Sequence, residues 1–271
     1  ISTQTIEDLY QVLPSPDGLL AIVGSGPHTN RTFSIFNTTT RSWQTLPLGT
    51  ISAAWDASGK RIAYLRRSAD NDVLAILTYE TMKGTDVIAL AAQDMNIEWV
   101  LADEIFLVQS PSAYIQSSIL AVNSKTKKVR TIANEEQGMN IVWAPNASYG
   151  IKSHAFGTTN ELVLINSKNQ TITSEPLPLS IAIKCKAHTE EFFCAVPKSF
   201  PTSTILPDDY LKERLYTQDK IIVGDPQTGL TTTVTLFEAD PIDAIHLEIQ
   251  KDRLLFKNRL DGKVYSFKLA L

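Results

Sequence analysis

Long apolar runs, helical periodicity and cysteine are all scarce in this chain of 271 residues. No stretch approaches the roughly 20 apolar residues that a membrane helix needs, so no segment reads as one. Two cysteines are too few for a disulfide scaffold, although they suffice for one bridge. Charge of neither sign dominates: 25 Lys and Arg stand against 29 Asp and Glu, a net charge of −4. That balance lacks the basic footprint of a dedicated nucleic-acid binder. The four histidines, His28, His154, His188 and His246, include no pair at metal-ligand spacing. Gly24-Ser25-Gly26 follows a strand but leads into Pro27-His28-Thr29-Asn30, a turn, so it is neither a nucleophile elbow nor a dinucleotide fingerprint. No P-loop or calcium loop occurs, and no acidic or histidine cluster marks a catalytic mouth. The expectation is a protein without cofactor or metal, and not an enzyme.

What the chain does contain is short strands. Runs of five to eight residues rich in Val, Ile, Leu, Thr and aromatics alternate with turn clusters such as Pro16-Asp17-Gly18, Ser58-Gly59, Asp225–Gly229 and Asp261-Gly262. Such spacing means an all-β protein. The strands also repeat. Trp55, Trp99 and Trp143 each precede a polar turn and a new apolar strand, and Pro14, Cys185 and Leu247 hold the same place in weaker copies. The steps between these anchors are 41, 44, 44, 42 and 62 residues. A period of about 40–45 residues with four strands per unit is the signature of propeller blades. The long last step contains Lys198–Tyr216, an insertion between the second and third strands of the fifth unit. The termini together make the sixth unit, its inner strands at Ala244–Ile249, Arg253–Lys257 and Lys263–Leu269 and its outer strand at Ser2–Glu7. The fold expected is a six-bladed β-propeller, all-β, with four antiparallel strands per blade and the N-terminal strand closing the last blade (3+1). It forms one domain over residues 1–271. The tryptophans, recurring at the repeat period, are expected as pillars of the core.

Cys185 and Cys194 sit on neighbouring strands of a hairpin whose turn centres near Thr189 and Glu190, so they face each other. Directly opposed residues stand about 4.5–5.5 Å apart at Cα, within disulfide reach. A bridge there points to an extracytoplasmic compartment; the competing reading is two reduced cysteines packed as small hydrophobes. His188 in the same turn leaves a Cys/His metal site as the minor alternative. Two basic clusters, Lys60-Arg61 with Arg66-Arg67 and Lys125, Lys127, Lys128 with Arg130, read as solvated strand edges ahead of an anionic-surface contact.

The string Trp55-Asp56-Ala57-Ser58-Gly59-Lys60-Arg61-Ile62-Ala63-Tyr64, with Ser15-Pro16-Asp17-Gly18 in the first unit, resembles the WD40-like PD40 repeat of TolB-type β-propellers. The separate N-terminal α/β domain of TolB has no counterpart in this sequence. Lys184-Cys185, Phe193–Pro197 and Leu206-Pro207-Asp208-Asp209-Tyr210 also look like a pattern in membrane-anchored bacterial TolB-like propellers, which brings no activity with it. With Ile1 in place of a methionine, the expectation is a piece of a longer protein tethered through a removed N-terminal membrane anchor.

Within the insertion, Leu206–Leu215 reads as a short helix: Pro at its start, acidic residues in its first turn, Lys and Arg toward its end. Its Leu211 and Leu215, four apart with Tyr210 beside them, form an apolar stripe that either packs on its own blade or meets a partner. The connection emerges on the rim where one blade leads to the next. The residues expected to meet a protein partner there are Tyr210, Leu211, Arg214, His28, Tyr114 and Phe156. The function expected is a non-catalytic extracytoplasmic protein-binding scaffold, a monomer rather than an obligate oligomer, with no nucleic-acid partner. The alternative is an accessory or gating propeller domain of a larger enzyme such as a peptidase.

Overall fold

The structure is a computed structural model that describes residues 6–27, 31–68, 71–91, 95–156, 159–173, 177–234, 241–250 and 252–269. Its strands form six antiparallel sheets in sequence order, as the repeat predicts. The first holds β1 (Gln11–Pro14), β2 (Leu20–Ser25), β3 (Thr32–Asn37) and β4 (Trp43–Thr45). The second holds β5 (Thr50–Trp55), β6 (Arg61–Arg67), β7 (Asp72–Thr78) and β8 (Lys83–Leu90), and the third β9 (Met95–Leu101), β10 (Glu104–Gln109), β11 (Gln116–Asn123) and β12 (Val129–Gln137). The fourth is a three-stranded sheet of β13 (Asn140–Trp143), β14 (Gly150–Phe156) and β15 (Thr159–Ile165), extended by a single bridge from Ile165 to Thr171. The fifth holds β16 (Cys185–Ala187), β17 (Phe192–Pro197), β18 (Asp219–Gly224) and β19 (Thr231–Val234). The sixth has three described strands, β20 (Ala244–Gln250), β21 (Arg253–Asn258) and β22 (Val264–Lys268). The closing strand expected at Ser2–Glu7 lies for the most part outside the described residues.

By contacts the chain divides into two compact units, residues 1–110 with 119–131 and residues 111–118 with 132–271. In the first, the sheets pack face to face through buried aliphatic and aromatic side chains: Ile22, Phe33, Ile35, Trp55, Ile62 and Leu77 between the first two, and Leu65, Leu74, Ile97, Ile105 and Leu107 between the second and third. Trp55 donates its indole N–H to the Leu13 carbonyl at 3.0 Å, and the Ile97 amide donates to Ser52 Oγ at 3.1 Å. Each bond stitches one sheet to the next. Trp55 is thus a buried pillar, whereas Trp99 and Trp143 are only partly buried. Trp43 is half out in solvent, its ring resting on Phe36 with centroids 4.7 Å apart.

The turn motif has a direct physical cause. Asp56 Oδ1 accepts the amides of Lys60 and Arg61, both at 3.1 Å, while Oδ2 accepts Ser58 Oγ and Arg61 Nε at 2.8 and 2.9 Å. Gly59 supplies the positive φ, 68°, that lets the chain reverse between β5 and β6. Ser15 and Asp17 make the shorter version in the first sheet, where Ser15 Oγ accepts the Leu20 amide at 2.9 Å. Five of the eight residues in the two basic clusters pair locally: Arg61 with Asp56, Arg66 with Asp86, Arg67 with Asp72, Lys125 with Asp103 and Arg130 with Glu104.

In the second unit, Ile151, Leu162, Leu164, Phe192, Cys194 and Ile222 fill the space between the fourth and fifth sheets. Phe193, Ile221, Leu254 and Phe256 fill that between the fifth and sixth. Cys185 and Cys194 are opposed partners in the β16–β17 ladder and are joined by a disulfide. The reduced-pair reading and the Cys/His metal alternative both fall with it.

Candidate functional site

The β17–β18 connection, residues 198–218, is the insertion expected from the long repeat step. Its helix is shorter than the sequence suggests. α1 covers only Asp208–Leu211, because Glu213 turns to a φ of 56° and ends it within one turn of Pro207. The expected stripe is therefore broken up. Tyr210 is 3% exposed, Leu215 is half-buried and Leu211 stays 43% exposed. Tyr210 and Leu206 pack with Ile181, Phe200 and Ile245, so this part of the insertion is held by its own blade and the next.

Beneath Tyr210 lies an arrangement that motif searches cannot see. Lys184, the last residue of a 3-10 turn (Ala182–Lys184) leading into β16, has no solvent exposure. Its Nζ lies 2.5 Å from Asp243 Oδ1, 2.7 Å from Asp219 Oδ2, 2.9 Å from Thr217 Oγ1 and 3.0 Å from Tyr210 Oη. Asp219 opens β18, and Asp243 stands immediately before β20, so one ammonium gathers the starts of three strands in two sheets. Arg259 completes the cluster from the end of β21, with Nη1 3.3 Å from Asp243 Oδ2. Two cations thus balance two carboxylates, all four nearly or wholly out of water.

The two aspartates differ in their surroundings. Asp243 accepts from Lys184, Tyr210 Oη, Thr217 Oγ1, the Thr217 amide and Arg259. Burial works against its charge, but Lys184 and these donors outweigh it and hold the carboxyl below the usual carboxylate range. Asp219 accepts Lys184 and the Ala244 amide on Oδ2, helped by the Thr217 side chain, and burial outweighs these donors and pushes its carboxyl up. Burial and the Asp243 carboxylate together drive the Tyr210 hydroxyl far above its ordinary range, so it remains a neutral donor.

The cluster also clamps the insertion. Arg259 donates to the carbonyls of Tyr210 and Leu215, both at 3.3 Å, and its guanidinium lies 4.1 Å from the Tyr210 ring centroid and 4.7 Å from that of Tyr216. On the other side, Asp208 accepts the Ala113 amide at 2.6 Å and pairs with Lys212 at 2.7 Å. The Gly138 amide donates to the Ser112 carbonyl at 2.7 Å. The loop before β11 is therefore fixed to the insertion, and it displays Tyr114 and Ile115, 65% and 69% exposed.

Of the residues expected on the rim, Leu211, Arg214 and Tyr114 are exposed on segments that these contacts hold. Tyr210 is a correction: its hydroxyl is spent on Lys184 and Asp243, and its ring is covered, so it supports the rim from below. His28 lies outside the described residues. Phe156 ends β14, paired with Thr159, and its side chain lies outside what is described. The sequence reading missed Lys184, Asp219, Asp243 and Arg259. The one signal available was a single charge set in an apolar stretch, Ile181-Ala182-Ile183-Lys184-Cys185 and Ile242-Asp243-Ala244-Ile245.

No protein-family model and no curated protein matches the chain. Solved structures do match it. Over 98% of its length it superimposes on 81% of the β-propeller domain of the Trilobed protease from Pyrococcus furiosus, with a TM-score of 0.64 and 11% identity. The chain is a six-bladed β-propeller. TolB from Acinetobacter baumannii matches over 96% of this chain and 63% of its own, with a TM-score of 0.52 and 12% identity. The tricorn protease matches over 96%, with a TM-score of 0.63 and 10% identity, but this chain spans only 29% of that one. At such identities the likeness is one of fold.

Proposed function

We propose that this propeller is a non-catalytic scaffold outside the cytoplasm that binds a protein partner through the rim carrying the insertion. The observation that carries the reading is the clamp: an insertion unique to one blade is pinned by buried ion pairs while Tyr114, Ile115 and Leu211 stay in solvent. Exposed aromatic and aliphatic side chains on a rigid support are what protein interfaces use as anchors, because little entropy is lost on contact. The Cys185–Cys194 bridge supports an oxidising compartment, and the shared fold with TolB agrees with one outside the cytoplasm.

The test is capture from a cell-envelope extract with the wild-type chain and with a Tyr114→Ala/Leu211→Asp double variant. A protein retained by the first and lost by the second supports the reading. Equal capture by both removes the rim from it. The alternative, an accessory domain of a larger enzyme such as a peptidase, draws support from the small share of the tricorn protease that the chain spans. A hydrolase domain in the same full-length reading frame decides for that alternative.

A further inference from the structure

The buried cluster holds the ingredients of an amide bond. Of its two cations, Arg259 keeps its proton at any accessible pH, and Asp243, with five donors, carries the matching negative charge. That leaves Lys184 and Asp219 as a pair with no net charge and no contact with water. Away from water an ion pair loses the solvation that favours it. The two oxygens of Asp219 are not equivalent. Oδ2 accepts the Ala244 amide at 2.8 Å, while Oδ1 is buried and meets no hydrogen-bond partner among the described residues. An orphan carboxyl oxygen in a dry core is costly and needs an explanation.

We propose that Lys184 and Asp219 become joined by an intramolecular isopeptide bond once the blade has folded. Nζ passes one proton across the 2.7 Å contact to Oδ2, and its freed lone pair attacks Cγ as negative charge develops on Oδ1. The Asp243 carboxylate, 2.5 Å from Nζ, takes the next proton that the nitrogen sheds and returns it to the departing Oδ2 hydroxyl, its neighbour on the same nitrogen. The Cγ–Oδ2 bond breaks, the Nζ–Cγ bond forms, and one water leaves; no oxidant or cofactor is required. Asp243 ends as it began, paired with Arg259. The product replaces a buried charge pair by a neutral amide, so the orphan Oδ1 no longer carries carboxylate charge, and it ties the start of β16 to the start of β18.

Mass spectrometry of the intact, unreduced chain under denaturing conditions tests this. The expected mass falls short of the sequence by two hydrogens for the disulfide and by one water more. After reduction and trypsin, Lys184 should resist cleavage and the water loss should map to a branched peptide joining Lys184 to Asp219. Lys184→Arg, which keeps the positive charge but has no primary amine, should return the water. A wild-type mass short only of the two hydrogens overturns the proposal. So does a water loss that maps elsewhere or persists in Lys184→Arg.

Discussion

A single lysine nitrogen decides much about the second unit, since Lys184 meets two carboxylates, a phenol and a hydroxyl without solvent. Removing one partner of such a cluster leaves charges that nothing offsets. Lys184→Met should cost about 3–5 kcal/mol of stability, read as a lower midpoint in urea unfolding. A variant as stable as the wild type would show that the cluster is energetically idle. Glu98 on β9 offers the opposite sign. Burial pushes its carboxyl up to about 7 from an ordinary 4.5, so the folded chain holds a proton there that the unfolded chain releases. Its stability contribution is complete below pH 4.5 and is lost as pH rises through 7. Glu98→Gln should therefore be more stable than the wild type by on the order of 1–2 kcal/mol at pH 8 and unchanged at pH 4, measured by thermal unfolding at both. None of these residues was legible as a site. Lys184, Asp219, Asp243 and Arg259 come together only because three strand starts and one strand end meet in the fold, and a one-dimensional spacing carries no trace of that.

Among the elements, the hairpins were the most readable. The midpoint between Cys185 and Cys194 places them opposite each other, and the β16–β17 register does the same. The bridge closes a short loop, so Cys185→Ser/Cys194→Ser should lower stability by about 2–3 kcal/mol at most, and alkylation of the unreduced wild type should find no free thiol. The helix of the insertion was less legible. Propensity favoured ten residues, but the ties of Asp208 to Ala113 and of Arg259 to the Tyr210 and Leu215 carbonyls pull the chain into a single turn. Tertiary hydrogen bonds overrode local preference. Leu211→Asp should leave stability within about 0.5 kcal/mol of the wild type, because its side chain already faces solvent. A larger loss would mean that Leu211 is part of the core.

At the scale of the whole chain, the period of the tryptophan anchors is enough to count the sheets, and the lone oversized step locates the insertion. Repetition makes architecture readable because each unit must bury the same faces against its neighbours. Function is not repeated, and so it collects where the period fails. Here the period fails at residues 198–216, and buried charge is spent on holding that departure still. Hydrogen exchange on the intact chain measures the point most directly. The amides of Asp209, Leu211, Lys212 and Arg214, each bonded to a carbonyl within the insertion, should exchange far more slowly than an unstructured loop. In Lys184→Met their protection should fall while that of β14 and β15 is kept. Free exchange of these amides in the wild-type chain would contradict the clamped rim.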